Sequence, residues 1–218
     1  MRILLVVATE LEIKDLLSEF GIQDPKAGTL SQGDFNHHRI DLLITGVGMS
    51  ATSFFVGKFL SRNYDLMLNV GIAGAFDEHL SLGEVVVVGS DFFSELGAEN
   101  NDEFIAFDKM NLPGFYKFNS SFTNQFLSQF KQVNSCTVNS VHGNLKSIQD
   151  FISRFPEVQI ESMEGASCAM GAQLNEIPFV QIRAISNKVE PRNTNNWNIP
   201  LALKNLHHTL KNFLSTLP

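Results

Sequence analysis

The stretch I-E-S-M-E-G-A-S-C-A-M-G-A at 160–172, followed by P-F-V-Q-I-R-A-I-S-N at 178–187, decides the fold of this chain. The residues that follow Glu164 are small on every side, which predicts a buried helix that packs closely on a sheet. The second part predicts an apolar strand over residues 179–185. A helix without a polar face and a buried strand together indicate an α/β fold, in which helices cover a central sheet.

Two polar side chains mark the ends of these two elements. Glu164 falls in the predicted first turn of the helix, where the helix dipole favours a carboxylate, although burial still demands hydrogen-bond partners from the protein or a ligand. The predicted strand stops at Ser186 and Asn187. Because ligands in open α/β sheets bind at the carboxyl ends of strands, we expect Glu164 and Asn187 to face one crevice.

Strands and helices alternate along the rest of the chain. This pattern predicts one domain over residues 1–218, with three α/β/α layers around a central twisted sheet. The long polar and aromatic stretch at 91–118 favours a mixed sheet over a purely parallel one. The pattern T-E-L-E at 9–12 is typical of a capping box, in which Glu12 serves the helix start. Further strands are expected at 1–8, 39–45, 65–70, 84–89 and 137–141, and helices at 9–20, 49–60, 120–130, 145–155 and 199–214.

The composition excludes several classes of protein. The chain is 44% hydrophobic and 18% charged, which is typical of a globular protein. A net charge of −7 without a basic run argues against nucleic acid or an anionic membrane as partner. The N-terminus does not resemble a secretory signal, and no apolar run is long enough to span a membrane, so we expect a cytoplasmic protein. The cysteines and the paired histidines show no ligand spacing, so no metal site is expected.

Two glycine-rich segments allow more than one interpretation. The segment G-V-G-M-S-A at 46–51 fits the dinucleotide pattern, yet the following acid, Asp65, precedes a strand instead of ending one. A tight turn, or backbone N–H groups that face a ligand, remain alternatives to a dinucleotide site. The segment N-V-G-I-A-G-A-F at 69–76 predicts a second glycine turn at a strand end. Arg183, inside an apolar strand, is expected to pair with a carboxylate in a structural role.

Five motifs in order resemble the nucleoside phosphorylase/nucleosidase superfamily, and more closely its methylthioadenosine/S-adenosylhomocysteine nucleosidase branch. The resemblance covers nearly the whole chain, and the ordered set is more specific than any single motif. The motifs are A-T-E-L-E at 8–12, T-G-V-G at 45–48, N-V-G-I-A-G at 69–74, S-M-E at 162–164 and R-A-I-S at 183–186.

The residue after R-A-I-S departs from that branch, which carries Asp where this chain has Asn187. The run from 183 to 203 resembles the futalosine hydrolases, a family that removes hypoxanthine from a nucleoside bearing a carboxyphenyl ketone, in an alternative route to menaquinone. An asparagine amide can donate N–H to O6 of a purine and accept from a protonated N7. Asn187 therefore suits a 6-oxopurine such as hypoxanthine.

The resemblance implies a role for each remaining site residue. Glu12 matches the carboxylate that activates water, and Glu164 matches the carboxylate that binds the ribose hydroxyls of a purine nucleoside. The reaction it implies breaks the N-glycosidic bond through an oxocarbenium-like transition state. It also implies no cofactor, no metal and a homodimer whose partner subunit helps to close the pocket. Expected substrate-binding residues are Val47, Ile72, Ala73, Gly74, His142, Gly143, Met163, Ser186, Arg192 and Trp197.

Several alternatives remain open from the sequence. The chain could be a nucleosidase for methylthioadenosine or another purine nucleoside, or a nucleoside-binding protein without turnover. A phosphorylase is disfavoured because the glycine segments bring no Arg or Lys to hold phosphate. Arg192 and Lys188 are cationic candidates for a substrate carboxylate, although Arg192 could equally be an ordinary solvated loop residue.

Overall fold

A computed structural model describes residues 1–101 and 103–218 of the chain. The strands are β1 (Arg2–Val7), β2 (Leu30–Phe35), β3 (His38–Ile44), β4 (Leu66–Ala75), β5 (Val85–Phe92), β6 (Gly97–Asn100), β7 (Glu103–Ala106), β8 (Lys117–Asn119), β9 (Gln132–Thr137), β10 (Ile160–Ser162) and β11 (Phe179–Lys188). The α-helices are α1 (Met49–Phe59), α2 (Leu145–Arg154), α3 (Gly165–Leu174) and α4 (Ile199–Ser215).

The central sheet is mixed, as predicted. Its strands follow the order β10-β9-β5-β11-β4-β1-β3-β2, and β8 pairs with β5. Strand β11 runs parallel to β4 but antiparallel to β5. Strand β10 also pairs with β4, so that β4, β11, β5, β9 and β10 form a closed ring. This closure brings the segment just before α3 against the carboxyl-terminal half of β4.

Helices cover both faces of the sheet and complete the three-layer architecture. Helices α1 and α3 pack together on one face, where a Cβ added at Gly171 would lie 2.4 Å from Val56 Cγ1. The predicted close packing on the sheet occurs at the start of α3, where Gly165 lies against Asp91 of β5 and Gln181 of β11. Helix α4 covers the other face through buried residues such as Leu206 and Phe213. Burying each side chain of this size contributes roughly 1.5–3 kcal/mol to stability.

The prediction of an α-helix over residues 9–20 is wrong. The segment forms two short 3₁₀ turns, Glu10–Glu12 and Lys14–Leu16. The Glu12 carboxylate accepts from Thr9 N at 2.9 Å, as in a capping box, but it is buried and also contacts β4. This contact joins residues sixty positions apart and holds the segment in place. Helix signals within 9–20 carry no information about it.

Three other boundaries differ from the prediction. Residues 120–130 form only a 3₁₀ turn, Leu127–Gln129, and the strand expected at 137–141 lies at Gln132–Thr137. The glycine segment at 69–76 is not a turn, because residues up to Ala75 continue β4. Its glycines serve close approach of side chains from neighbouring elements.

Candidate active site

A cavity of about 350 Å³ opens where β1, β4 and β11 end. A larger cavity, of about 500 Å³, lies near Phe104 and Arg154, but its lining lacks the carboxylates expected in the site. The structure brings all but one of the expected site residues to the first cavity. Those that line it are Glu12, Val47, Ile72, Ala73, Gly74, His142, Met163, Glu164, Ser186, Asn187, Arg192 and Trp197.

Glu12 is held in the cavity wall by backbone donors. Its Oε2 accepts from Ala8 N and Thr9 N, each at 2.9 Å, and its Oε1 accepts from Ile72 N at 3.3 Å. Burial raises the pKa of the Glu12 carboxyl above its ordinary value; the positive charge of Arg183 opposes this shift and the negative charge of Glu164 adds to it. A carboxylate with a raised pKa and a fixed position is suited to accept a proton from water.

Arg183 lies close to the Glu12 carboxylate and is 1% exposed. Among the described residues it forms no ion pair within 4.0 Å, so the expectation of a directly paired carboxylate is wrong. Its Nη2 instead donates to Asn69 Oδ1. A Cβ on Gly71 would lie 2.5 Å from both Arg183 Nη1 and Glu12 Oε1. Because Gly71 has no side chain, the Arg183 guanidinium can approach the Glu12 carboxylate.

Glu164 occupies the N-cap position of α3, one residue before the helix begins. It is buried, and its Oε1 accepts from Gly48 N at 2.9 Å. Gly48 has a φ of 102°, a conformation that glycine adopts readily. Residues 46–48 therefore form a tight turn into α1, which begins at Met49, and this turn directs the Gly48 N–H group at a carboxylate. An anionic carboxylate at this place disfavours the pyrophosphate of a dinucleotide.

Asn187 lies at an irregularity in β11. The pairing register with β4 shifts between Ile185 and Asn187, and the strand continues to Lys188 instead of stopping at Ser186. Ser186 Oγ donates to Asn187 Oδ1 at 2.8 Å, and Asn187 Nδ2 donates to Lys188 O at 2.9 Å. These contacts orient the amide and leave one N–H and one lone pair available.

Arg192 and Trp197 form the outer wall of the cavity. The guanidinium Cζ of Arg192 lies 5.0 Å from the centre of the Trp197 ring, a cation–π arrangement. Arg192 N donates to Gly143 O at 2.9 Å, so Gly143, which does not line the cavity itself, anchors the Arg192 loop. Lys188 is directed elsewhere, because its Nζ donates to the carbonyls of Asp77, Glu78 and Leu80.

Comparison with known proteins identifies the family. The model of the phosphorylase superfamily matches residues 2–215. The chain belongs to the phosphorylase superfamily. This confirms the resemblance that the ordered motifs indicate.

Relatives within the superfamily include two kinds of enzyme. A futalosine hydrolase from Streptomyces coelicolor is 27% identical over 93% of this chain and 91% of its own length. Another from Acidothermus cellulolyticus is 28% identical over 77% and 72%, respectively. A 5'-methylthioadenosine/S-adenosylhomocysteine nucleosidase from Maridesulfovibrio salexigens is 27% identical over 87% of each chain. These names agree with the expectation of a hydrolase that acts on N-glycosyl bonds.

Solved structures of this superfamily share the fold. The 5'-methylthioadenosine/S-adenosylhomocysteine nucleosidase of Neisseria meningitidis, in complex with methylthio-immucillin-A, superposes with a TM-score of 0.83 at 19% identity over 99% of each chain. The corresponding nucleosidase of Helicobacter pylori with butyl-thio-DADMe-Immucillin-A gives a TM-score of 0.83 at 18% identity, over 100% of this chain and 99% of that one. The predicted three-layer fold with a mixed sheet is thereby confirmed.

One charged residue that lines the cavity, Glu161, was not predicted from the sequence. It is 2% exposed, and its Oε1 accepts from His142 N at 3.0 Å while its Oε2 lies 2.6 Å from His142 Nδ1. Burial raises the pKa of the Glu161 carboxyl, and the contacts with His142 oppose that shift. An acid directly after Ile160, within a short apolar stretch, was the available signal. Other lining residues not predicted are Ala8, Thr9, Leu11, Val141, Ser162, Ile199 and Leu203.

Within residues 1–101 and 103–218, no group of three His, Cys, Asp or Glu side chains is arranged to hold a metal ion. None of the helices in these residues combines the length and the apolar character that crossing a bilayer requires.

Proposed function

We propose that this protein is a futalosine hydrolase, which uses water to cleave the N-glycosidic bond of futalosine and releases hypoxanthine. The observation that carries the proposal is the convergence of Glu12, Glu164 and Asn187 on one cavity, with an amide where methylthioadenosine enzymes carry an acid. The futalosine hydrolase relatives support it. The reaction would belong to menaquinone biosynthesis and take place in the cytoplasm.

The two buried carboxylates divide the work of hydrolysis. Cleavage of an N-glycoside passes through an oxocarbenium-like ribose, which needs a nearby negative charge and an activated water. Glu12 has lone pairs beyond those its three backbone donors use, and these accept the proton of the attacking water. Glu164 uses Oε1 for Gly48, which leaves Oε2 for the ribose hydroxyls and the developing cation.

Asn187 serves the leaving base. Ser186 fixes the amide oxygen, so the free N–H of Nδ2 is available to O6 of hypoxanthine. The remaining lone pair of Oδ1 accepts from N7 once this nitrogen is protonated. The amide thus stabilises the departing 6-oxopurine without itself supplying a proton.

Water is the proposed acceptor because the cavity offers little to bind phosphate. Of the described residues that line it, Arg192 is the only lysine or arginine. It lies beside Trp197 on the outer wall, and Lys188 is held by three carbonyls. A phosphate beside the ribose would therefore lack the cationic donors that such anions require.

A second copy of the chain is proposed to cover the cavity mouth. Leu11 and Val47 line the cavity, yet they are 59% and 57% exposed. Phe54 on α1 is 64% exposed. Exposed apolar side chains at a cavity rim, such as Leu11 and Val47, are typical of a protein–protein contact, and Phe54 is a further exposed aromatic on the helix that follows Val47. A homodimer would bury them and enclose the substrate.

The decisive assay offers the purified protein futalosine, methylthioadenosine and inosine, and measures free base with and without phosphate. We expect hypoxanthine release from futalosine to be fastest and to be independent of phosphate. Faster release of adenine from methylthioadenosine would favour the second candidate, a methylthioadenosine/S-adenosylhomocysteine nucleosidase, which the relative at 27% identity supports. Binding of nucleoside without any base release would indicate a non-catalytic nucleoside-binding protein.

Arg192→Ala is expected to raise KM for futalosine by roughly tenfold, equivalent to about 1.4 kcal/mol of binding. The reason is that futalosine carries an anionic carboxylate, and Arg192 is the cation on the outer wall, where it stacks on Trp197. Inosine has no such group, so its hydrolysis should be nearly unchanged. Steady-state kinetics on both substrates provide the measurement.

Arg62→Ala is the matched control, because Arg62 is exposed in the loop between α1 and β4 and does not line the cavity. Equal losses on futalosine and inosine in Arg192→Ala would place Arg192 in general support of the cavity. No loss on either substrate would make it an ordinary solvated residue.

A further inference from the structure

Glu161 lies beside Asn187 on the floor of the cavity. In the sheet, Glu161 of β10 and Asn187 of β11 are both register partners of Gly74, from opposite sides. A Cβ on Gly74 would lie 3.2 Å from Asn187 Nδ2 and 3.5 Å from Glu161 Cγ. All three residues line the cavity. The bare backbone of Gly74 therefore separates a carboxylate on one side from an amide on the other.

His142 holds the Glu161 carboxylate in place. It contributes its backbone N, 3.0 Å from Oε1, and its Nδ1, 2.6 Å from Oε2. The imidazole ring packs against Phe76 and Phe151, with ring centres 5.6 Å and 4.5 Å apart. These two contacts orient the Glu161 carboxyl group, and they oppose the rise in its pKa that burial causes. An ionised carboxylate has about four acceptor positions, so these contacts leave capacity for a ligand.

The roles of Glu12, Glu164 and Asn187 leave Glu161 without a task in the reaction. Its side chain is only 1% exposed, and burial of a carboxylate costs several kcal/mol unless it is compensated. A residue that merely fastened the 138–144 loop could be neutral. Because Glu161 lines the cavity and its contacts with His142 leave acceptor positions unused, its carboxyl group is placed to accept from a donor group of a ligand.

The six-membered ring of a 6-oxopurine presents such a group. Its N1–H is a donor next to the O6 acceptor, whereas a 6-aminopurine has the reverse pattern, with an N1 acceptor next to an amino donor. Asn187 Nδ2 complements O6, and a carboxylate beside it complements N1–H. Toward a 6-aminopurine, the same carboxylate would face the lone pair of N1, which is repulsive.

We propose that Glu161 is a specificity-determining residue that accepts the N1–H of a 6-oxopurine base and rejects 6-aminopurines. This inference rests on the proposed function only in taking hypoxanthine as the base. Asn187 and Glu161 then read adjacent positions of one ring edge, and His142 acts as a positioning residue for Glu161.

Glu161→Gln tests this assignment with two substrates that differ only at position 6, futalosine and its 6-amino analogue. Gln can turn its amide N–H toward N1 of the amino analogue, and it removes the charge that favours N1–H. The ratio of kcat/KM for the oxo over the amino substrate should fall by about 10- to 100-fold. Equal losses on both substrates, or an unchanged ratio, would overturn the proposal.

Glu95→Gln is the matched control. Glu95 is exposed and accepts from Asn139 N at 3.1 Å and from Ser140 N at 3.4 Å, in the loop that also carries His142. It does not line the cavity. If Glu161 served only to hold this loop, the two variants would change both substrates alike.

Binding of the free bases separates this inference from the proposed function. Calorimetry with hypoxanthine and adenine needs no ribose-side group, and we expect the wild type to prefer hypoxanthine and Glu161→Gln to lose that preference. This result in a protein inactive on futalosine would reject the proposed function alone. Futalosine hydrolysis with an unaltered base preference in Glu161→Gln would reject the role of Glu161 alone. If Glu161→Gln does not fold, Glu161→Asp should lose hypoxanthine affinity without a gain for adenine, and unchanged binding there would refute the proposal.

Discussion

Glu12→Gln is expected to lower kcat for futalosine by about 10²–10⁴-fold, the usual cost of removing a general base. The amide cannot accept a proton from water, although its oxygen can still accept from Ala8 N and Thr9 N. The fold should therefore persist, and thermal unfolding would verify this. Glu10→Gln is the matched control, because Glu10 lies in the same turn but is exposed. Wild-type turnover in Glu12→Gln would leave Glu12 with a purely structural role.

The pH dependence of the wild type follows from the same carboxyl. Burial raises the pKa of Glu12, and a general base must be deprotonated to act. Activity should therefore fall as the pH is lowered through a pKa above the ordinary glutamate value. This acidic limb of the kcat profile should disappear in Glu12→Gln. A limb that persists unchanged in the variant would belong to another group.

Glu164→Gln is expected to lower kcat by about 10²–10³-fold, which is typical for the loss of one electrostatic stabiliser of a transition state. Gln can still accept from Gly48 N and donate to a ribose hydroxyl, so the turn and the ground-state contacts should remain. The lost negative charge matters only when the ribose becomes cationic. The effect should therefore lie in kcat more than in KM.

Glu176→Gln is the control for this second carboxylate, since Glu176 is exposed just beyond the other end of α3. It should be indistinguishable from the wild type in kcat and KM. A Glu164→Gln variant whose KM rises while kcat is unaffected would show that Glu164 binds substrate without stabilising the cation.

Local pattern and strand order were enough to predict part of the site. The small residues after Glu164 predicted a buried helix, and Asn187 follows a buried apolar strand. Because carboxyl ends of parallel strands meet at one edge, the convergence of these residues was predictable from the chain alone. For the 46–51 segment the sequence leaves a tight turn, a dinucleotide site and N–H groups that face a ligand as alternatives, and in the structure Gly48 N donates to the Glu164 carboxylate.

The errors arose where distant contacts outweigh local signals. Glu12 forms the predicted capping box with Thr9, but this box starts a 3₁₀ turn and not an α-helix, and Glu12 also accepts from Ile72 N, sixty residues away. The glycines of 69–76 resembled a turn, yet Gly71 admits Arg183 and Gly74 admits Asn187 and Glu161. A glycine is required at these positions because side chains from other strands pack there once the sheet has formed. A local sequence pattern therefore cannot predict the requirement.

The ring of strands that the β10–β4 pairing closes is rigid, whereas the loops around it can vary in length. These two parts of the site can therefore change in different ways during evolution. Glu161 and Asn187 sit on β10 and β11, the two strands that flank β4 in that ring, so moving them apart would break interstrand backbone hydrogen bonds. Under the proposed base-binding roles of Glu161 and Asn187, a change in the choice of base would come from exchanging side chains in this fixed frame. Val47 and Trp197 lie on connecting segments outside the ring, where insertions are tolerated. Under the same proposal, a change toward nucleosides with different ribose-side groups would come from remodelling these loops, without altering the strands that carry Glu161 and Asn187.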